Sequence, residues 1–377
     1  MSHNDIAVYI HWPWCKRKCP YCDFNSHVSD HLPEEDYLQA LLTDFKTQSK
    51  NFEGRNLVSI FFGGGTPSLM KPLTTEILIN EVCSFFKTSS DKVEITLEAN
   101  PTSSSLNKFL DFESAGINRF SIGVQSLQDK HLQFLGREHS AKEALHTVEQ
   151  ALKTRARINF DLIYGLPEQN LTEWLSDLSY AVSVEAGHIS AYQLTIEPNT
   201  KFYSDMRKNN LTPMPNDLQA DFFDATRKKL TESDYSHYEI SNFAKVNQEC
   251  QHNVHVWKYG SYLGIGAGAH GRLHCKNITA IQNYKLPFRY IEKVAKNQHG
   301  VFMSQETDNE TALFEKILLG IRLKAGVKLT NKELSILDAE GLSLLQKSNA
   351  LLWDGTTLKI PGSHTQLTDD ILLKIIK

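Results

Sequence analysis

The chain has 377 residues, of which 41% are hydrophobic and 22% are charged, and its formal net charge is -4. This composition is typical of a soluble globular protein with one large and one small domain, and it argues against disorder and against a general attraction to nucleic acid. No apolar run approaches the ~20 residues that span a bilayer, and no secretory signal is found, so we expect a cytoplasmic protein.

Strand-like and helical segments alternate from the start of the chain. Strands are expected at Val8–Trp12, Leu57–Phe62, Val93–Ala99, Arg119–Val124, Ile158–Tyr164 and His188–Ile196, with helices such as Glu34–Lys50, Thr74–Lys87 and Ser140–Lys153 between them. This alternation predicts a parallel sheet with right-handed crossovers, and six βα units favour an open, partial (β/α)6 TIM-like barrel over a closed barrel of eight strands. Side chains that carry chemistry should then collect at the carboxyl ends of the strands.

The first strand leads into three cysteines, Cys15, Cys19 and Cys22, spaced C-x3-C-x2-C. Three thiolates in so tight a loop can each bind one iron of a [4Fe-4S] cubane and leave the fourth iron open to a chelating cofactor. A zinc site completed by His11 or His27 is the alternative, although the pair of C-x2-C motifs usual in zinc sites is absent, since Cys19 and Cys22 form only one. A disulfide is not expected in an intracellular chain.

Glycine and polar residues stand at or just beyond the ends of several expected strands. They are the turn Gly63-Gly64-Gly65-Thr66-Pro67, Glu98, Gln125, Arg137 and Asp161. Glycines let a ligand approach the backbone, and the charged groups can pair with carboxylate, amine or hydroxyl groups of that ligand. Structural explanations are also open, such as a tight turn for the glycines or an ion pair between Glu98 and Arg137. Asp161 could equally be a cap, and Gln125 a hydrogen bonder at a strand end.

A second group of candidates lies in the segment Cys250–Gly271, which contains two histidines three residues apart, a tryptophan and a Gly-rich turn. Glycines allow a flat ligand to approach closely, and Trp257 offers it a stacking surface. The segment therefore suits the face and edge of a porphyrin. His252, His255 and Cys250 are the candidate iron ligands.

The C-terminal part of the chain has a different pattern. Helices are expected at Glu310–Leu323 and Asn331–Leu345, and Asp354-Gly355 between apolar flanks is a strong hairpin signal. Helices followed by a hairpin indicate a small helical, winged-helix-like domain, and its nearly balanced charge argues against DNA binding. We therefore divide the chain into a barrel, a linking segment that carries the second group of candidates, and a small domain, at residues 1–240, 241–308 and 309–377.

The stretch YIHWPWCKRKCPYCDF, at Tyr9–Phe24, resembles the cluster loop of the radical S-adenosylmethionine (SAM) superfamily, and within it the HemN/HemW group. The resemblance extends over most of the chain. It implies that the three cysteines hold a [4Fe-4S] cluster. It also implies that SAM is bound by Tyr9, Tyr21, Gly64, Gly65, Thr66, Glu98, Gln125, Arg137 and Asp161.

The second segment resembles the HemW motif HNxxYW followed by YxGIGxGAHG. His252, Asn253 and Trp257 match it, whereas Val256 stands where the family has tyrosine and so lacks its hydroxyl. This resemblance makes His252 the preferred heme ligand. No residue is assigned a catalytic role.

Two functions from the same superfamily remain to be distinguished. Oxygen-independent coproporphyrinogen III oxidases, which are radical SAM oxidative decarboxylases, carry a fourth cysteine where this chain has Phe24, and a longer N-terminal arm. Both differences favour the HemW group, which implies a chaperone that binds heme, a [4Fe-4S] cluster and SAM. The implied partners are an unknown heme-acceptor protein, with membrane-associated proteins as one candidate class, and an electron donor such as flavodoxin or ferredoxin if SAM is cleaved.

Overall fold

A computed structural model of the chain describes residues 4–376. The strands are β1 (Asp5–Trp12), β2 (Trp14–Cys15), β3 (His27–Val28), β4 (Asn56–Gly64), β5 (Glu94–Ala99), β6 (Arg119–Gln125), β7 (Arg157–Tyr164), β8 (His188–Gln193), β9 (Ser236–Glu239), β10 (Asn242–Ala244), β11 (Ser261–Ile265), β12 (His270–His274), β13 (Ile278–Asn283), β14 (Val301–Thr307), β15 (Val327–Lys328), β16 (Leu352–Trp353) and β17 (Thr357–Lys359).

The helices are α1 (Glu34–Gln48), α2 (Pro72–Phe85), α3 (Leu106–Ser114), α4 (Asp129–Phe134), α5 (Ala141–Ala151), α6 (Leu171–Ser183), α7 (Lys201–Arg207), α8 (Asn216–Thr231), α9 (Gln251–Trp257), α10 (Pro287–Asn297), α11 (Asn309–Gly320), α12 (Asn331–Leu334), α13 (Ala339–Lys347) and α14 (Thr368–Ile375). None of these helices is long and apolar enough to cross a membrane.

One large sheet organises the molecule. Within residues 4–376 it has twelve strands in the order β14-β13-β12-β11-β1-β4-β5-β6-β7-β8-β10-β9. The central strands from β11 to β8 run parallel, whereas the strands outside them at both edges are antiparallel. Because β14 and β9 lie at opposite edges and do not pair, the barrel is open, and the expected fold class is confirmed.

The parallel sheet contains one strand that the sequence did not predict. The six expected strands are present as β1 and β4–β8, and β11 joins them as a further parallel strand, with Ile6 beside Ser261. Residues 241–308, expected to be a linking segment, supply β10–β14 to the same sheet. That description of the segment as a link was therefore wrong, while the three-part division of the chain remains a prediction.

Strand β6 shows how the sheet separates its core from the site. Phe120, Ile122 and Val124 are fully buried, and Phe120 packs edge-on against Phe109 of α3 at 4.8 Å between ring centres. Side chains alternate along a strand, so the residues between them point to the opposite face. These are Arg119, Ser121, Gly123 and Gln125, which line a cavity on the inner side of the sheet.

The C-terminal residues form a small domain with its own apolar core and the sheet β15-β17-β16. The hairpin expected at Asp354-Gly355 joins β16 to β17. The single helix expected over Asn331–Leu345 is instead two helices, α12 and α13. The Asp338 side chain accepts a hydrogen bond from Gly341 N at 2.6 Å, and so begins a new helix at that point.

Candidate functional site

A cavity of about 1120 Å³ lies at the carboxyl ends of the parallel strands. Every residue assigned to a metal or cofactor from the sequence lines it, namely Tyr9, Cys15, Cys19, Tyr21, Cys22, Gly64, Gly65, Thr66, Glu98, Gln125, Arg137, Asp161 and His252. The fold therefore gathers these residues into one space, as expected where parallel strands end together. Which ligand each of them binds remains a prediction.

Cys15 ends β2, and Cys19 and Cys22 follow in the loop between β2 and β3, which forms part of the cavity wall. Cys22 N donates to Cys19 O at 3.1 Å and so closes a tight turn. Burial raises the pKa of the Cys15 thiol, and the side chains of Thr66 and Ser26 partly oppose that rise. Burial also raises the pKa of Cys22, with Cys15 and Cys19 adding to the rise by their charge. The three thiols are thus near enough to one another to interact electrostatically.

This loop suits a cluster better than a single ion. No three His, Cys, Asp or Glu side chains within residues 4–376 are grouped so as to hold one metal ion. A cubane needs a different arrangement, in which each thiolate binds a separate iron. His11 is not free to complete a zinc site, since its Nδ1 bonds Tyr9 OH and its Nε2 bonds Asn25 O, both at 2.9 Å. His27, the other zinc candidate, does line the cavity.

The glycine turn after β4 brings the sheet against the cysteine loop. Gly64 has φ = +110°, and a Cβ there would lie 2.5 Å from the His11 ring. A Cβ on Gly65 would lie 2.5 Å from Trp14 O. Only glycine fits either position. Because Gly65 N donates to Trp12 O at 2.7 Å, the turn supports the cysteine loop as well as lining the cavity.

Two tyrosines complete the cavity wall beside the cysteines. Burial raises the pKa of Tyr9, as does the charge of Glu98. Tyr21 lies between Cys19 and Cys22, and burial raises its pKa although the charge of Arg137 opposes the rise. Both hydroxyls are therefore protonated at neutral pH and can donate a hydrogen bond.

Glu98 and Asp161 place two carboxyl groups in the cavity. Burial raises the pKa of Glu98 to about 8, and the charge of Asp161 adds to this, although Gly64 N donates to Glu98 at 3.1 Å. Burial also raises the pKa of Asp161, against hydrogen bonds from Ser121 at 2.8 Å and Asn159 at 2.6 Å. Within residues 4–376 neither carboxyl group has a cationic side chain within 4.0 Å. A positively charged ligand would stabilise their ionised forms.

Arg137 connects the cysteine loop to the end of β6. Its Nη2 donates to Gly123 O at 2.9 Å, and its Nη1 lies 3.7 Å from Cys19 Sγ. An ion pair between Arg137 and Glu98, considered from the sequence, is not formed. Burial opposes ionisation of Arg137, but the charges and hydrogen bonds of Tyr21 and Cys19 raise its pKa, so a cation lies beside the cysteine loop.

Gln125 ends β6 in the left-handed backbone region, with φ = +71°. The loop after it is held by Asp177 of α6, which accepts from Ser126 Oγ at 3.0 Å and from Leu127 N at 2.9 Å. The position of Gln125 is thus fixed by a buried carboxylate outside the cavity.

His252 lies on α9, and Glu94 holds the start of this short helix. The Glu94 carboxylate accepts from Gln251 N and from His252 N, each at 2.9 Å. The His252 ring packs 4.9 Å from the Phe61 ring, and its Nδ1 lies 2.8 Å from Ser59 Oγ. Burial lowers the pKa of His252 to about 4, so its imidazole is neutral. Its Nε2 makes no hydrogen bond with any residue among 4–376.

The other two candidate iron ligands lie outside the cavity lining. His255 Nε2 bonds Ser261 O at 2.8 Å, and the thiol of Cys250 is fully buried against Glu94. Trp257 does line the cavity, and the Arg322 guanidinium lies 4.5 Å from its ring centre. Of the three candidate ligands, the structure therefore brings His252 alone to the cavity.

Several cavity residues were missed from the sequence, among them Arg119, Ser121, Asn159, Ser190, Asn242 and His270. Arg119, Ser121 and Asn159 could have been found by extending the alternation of β6 and β7 backwards from Gln125 and Asp161. His270 lies within the segment Cys250–Gly271 that the sequence already singled out. No local signal marks Ser190 or Asn242, because their positions depend on how distant strands pair.

The chain is similar to known proteins over most of its length. A family model described as the radical SAM superfamily matches residues 9–181. The heme chaperone HemW of Buchnera aphidicola (subsp. Acyrthosiphon pisum) is 43% identical over 281 residues, which cover 74% of this chain and 73% of that protein. HemW of Escherichia coli K12 is 43% identical over 71% of this chain and 70% of its own length.

A mitochondrial relative and a solved structure match over a greater length. The bovine radical S-adenosyl methionine domain-containing protein 1 is 34% identical over 98% of this chain and 87% of its own. The structure of coproporphyrinogen III oxidase (HemN) from Escherichia coli superposes with a TM-score of 0.83 over 98% of this chain and 90% of that chain. At 19% identity this last likeness shows a shared fold alone.

Proposed function

Because this chain belongs to the HemW family of the radical SAM superfamily, we propose that it is a heme chaperone that binds heme and passes it to an acceptor protein. Membership of the superfamily implies a [4Fe-4S] cluster and SAM. The observation that carries the proposal is that one cavity is lined by three thiols, by the carboxyl groups of Glu98 and Asp161, and by a neutral histidine whose Nε2 has no hydrogen-bond partner within residues 4–376.

The cysteine side of the cavity would hold the cluster and SAM. Cys15, Cys19 and Cys22 would supply one thiolate each, and Tyr9, Tyr21, Gly64–Thr66 and Gln125 would border the ligand. Glu98 and Asp161 suit the cationic amine and the hydroxyls of SAM, and Arg137 suits its carboxylate. When reduced, the cluster supplies the electron that splits the SAM sulfonium, while the protein orients the ligand.

His252 is the proposed heme ligand, and Ser59 would set its tautomer. If Ser59 Oγ accepts a hydrogen bond from Nδ1, the imidazole proton is on Nδ1, and the lone pair of Nε2 can bind iron. The side chain of Ser59 is fully buried, which holds this hydrogen bond in place. Trp257 would stack against the porphyrin, with Arg322 covering part of its ring.

The acceptor would be a protein that needs heme, and membrane-associated proteins are one candidate class. An electron donor such as flavodoxin or ferredoxin would be needed if SAM is cleaved. We place these events in the cytoplasm and propose no role in nucleic-acid binding.

Two incubations of the anaerobically reconstituted protein test the function. Titration with hemin should shift the Soret band and saturate at one heme per chain. Incubation with coproporphyrinogen III, SAM and a reductant should give no protoporphyrinogen. Conversion of coproporphyrinogen together with SAM consumption would instead identify a radical SAM decarboxylase.

A pair of variants on one helix locates the heme ligand. His252→Ala should shift the Soret band and weaken hemin binding. His255→Ala is the matched control, because it removes a histidine of the same helix that lies outside the cavity lining. An unchanged spectrum in the His252 variant would contradict the assignment.

A further inference from the structure

Arg119, the first residue of β6, is a buried cation that faces the cavity. Only 2% of its surface is exposed, and it lines the cavity. Within residues 4–376 its guanidinium makes no hydrogen bond and has no carboxylate within 4.0 Å. By contrast, the nearby Arg157 pairs directly with Glu94, and Arg137 donates to Gly123 O. Of these three arginines, Arg119 is thus the one whose donors are unused.

The acidic groups around Arg119 are already occupied by other partners. Glu94 and Asp161 both attract the Arg119 charge, which explains how the cation is tolerated inside the protein. Glu94 accepts from the start of α9 and from Arg157, and Asp161 accepts from Ser121 and Asn159. A buried guanidinium with unsatisfied donors is costly unless a ligand supplies the acceptors. A carboxylate matches its planar pair of N–H groups.

Arg119 lies within electrostatic range of both sides of the cavity. On the SAM side, its charge opposes the rise in the pKa of Glu98 and of Asp161. The charge of Arg119 helps to lower the pKa of His252, so the two side chains lie within electrostatic range. Four further residues of the cavity lining have buried polar atoms without a hydrogen-bond partner within residues 4–376, namely Asn242 Oδ1, Trp257 Nε1, Ser26 Oγ and His27 Nε2. Arg119 differs from them because its unbonded group is a cation.

We propose that Arg119 binds a propionate carboxylate of the tetrapyrrole, and that heme is held at two points, its iron by His252 and a carboxylate by Arg119. This inference rests on the proposed heme-binding function. The other carboxylate expected in the cavity is that of SAM, which Arg137 is better placed to bind because it reaches the cysteine loop. The experiment has to distinguish these two carboxylates.

The test compares hemin with hemin dimethyl ester, whose propionates carry no charge, and measures SAM separately by calorimetry. The wild-type protein should bind hemin about tenfold to a hundredfold more tightly than the ester, which is typical for one charge-assisted contact. Arg119→Gln should remove most of that preference by weakening hemin alone, and should leave SAM affinity unchanged. Arg119→Lys keeps the charge but loses the planar pair of N–H groups, so its preference for hemin over the ester should lie between those of the wild type and Arg119→Gln.

Arg272→Gln is the control, since Arg272 is a partly buried arginine that pairs with Glu315 and does not line the cavity. It should keep the full preference for hemin. Equal losses for hemin and its ester in Arg119→Gln would assign Arg119 a purely structural role. A loss of SAM affinity with unchanged hemin binding would assign it the SAM carboxylate, and either result overturns the inference.

Failure of this inference differs from failure of the proposed function. If the wild-type protein binds neither form of hemin, the heme chaperone proposal itself fails. If it binds both forms equally well, heme binding stands and the role of Arg119 is refuted. If Arg119→Gln does not fold, Arg119→Lys carries the test, and a preference for hemin unchanged from that of the wild type would refute the role of Arg119.

Discussion

The two sides of the cavity differ in how completely the protein satisfies its own groups. On the cysteine side, the glycine turn bonds the cysteine loop, Gly64 bonds Glu98, and Arg137 bonds Gly123 O. On the α9 side, Arg119, Asn242 and Trp257 keep unused hydrogen-bonding atoms. The cysteine loop also keeps two unbonded atoms, Ser26 Oγ and His27 Nε2, but the α9 side is the one that leaves a whole charged group, the Arg119 guanidinium, without a hydrogen bond within residues 4–376. We therefore expect ligand binding to change the α9 side more than the cysteine side.

The largest expected effect belongs to the cysteine side. Cys19→Ala should abolish the iron–sulfur absorption after anaerobic reconstitution, because the cubane loses one of three protein ligands. Cys275→Ala is the matched control, since that thiol is exposed and lies far along the chain. If both variants lose the cluster equally, the assignment of the cysteine loop is wrong.

The next effect tests whether α9 depends on one carboxylate. Glu94→Ala removes the acceptor for two helix amides and the partner of Arg157, and should lower the free energy of unfolding by about 3 kcal/mol. Urea unfolding measures this loss. Hemin affinity should fall while the iron–sulfur absorption remains, and loss of the cluster as well would show that the two sides are not independent.

Removal of a single group that is proposed to bind SAM should have a smaller effect. Arg137→Ala and Glu98→Ala should each cost ~2–3 kcal/mol of SAM binding, or roughly thirtyfold to a hundredfold in Kd. Calorimetry with SAM gives the two values directly. Unchanged affinity in both variants would remove the SAM site from this side of the cavity.

A smaller effect is expected on the α9 side when the hydrogen bond that orients His252 is removed. A second buried serine, which has no hydrogen-bond partner in the described part of the chain, controls for the loss of a buried hydroxyl. Ser59→Ala removes the hydrogen bond to His252 Nδ1 and should weaken hemin binding by about 1 kcal/mol, with a shifted Soret band. Ser49→Ala provides the control, because Ser49 is also fully buried but its hydroxyl has no partner within residues 4–376. A normal heme spectrum in the Ser59 variant would argue against a role in setting the tautomer.

The last prediction is a pH dependence of stability in the protein without cofactors, which arises on the cysteine side. The pKa of Glu98 in the folded protein is about 8. Between pH 6.5 and 8, this carboxyl group is therefore more protonated in the folded protein than in the unfolded chain. Unfolding therefore releases a proton, and stability should fall as the pH rises through this window. The neutral His11 and His252, with pKa values of about 4, give the opposite slope only below pH 6.5. Glu98→Gln should flatten the slope in chemical unfolding, and an unchanged slope would contradict this assignment.

The same comparison explains what the sequence could predict. The residues of the cysteine side belong to short contiguous motifs at strand ends, so they could be predicted from the sequence. The α9 side depends on pairings between distant segments, such as Glu94 with the start of α9, and local patterns carry no trace of them. The sequence predicts that Arg119 begins a strand. Only the structure shows that no neighbouring side chain among residues 4–376 forms a hydrogen bond or an ion pair with its guanidinium.

Strand β11 also determines when the cysteine loop can be finished. It pairs with β1 although it lies at Ser261–Ile265, and Asn25 in the cysteine loop donates to Ala267 O and Lys285 O, both at 2.9 Å. On the ribosome, β1 therefore has an unpaired edge until this late segment emerges, and such an edge invites aggregation. The loop reaches its final form only after residue 285 has been synthesised. Insertion of an iron–sulfur cluster into the finished site would therefore follow synthesis of the first 285 of the 377 residues.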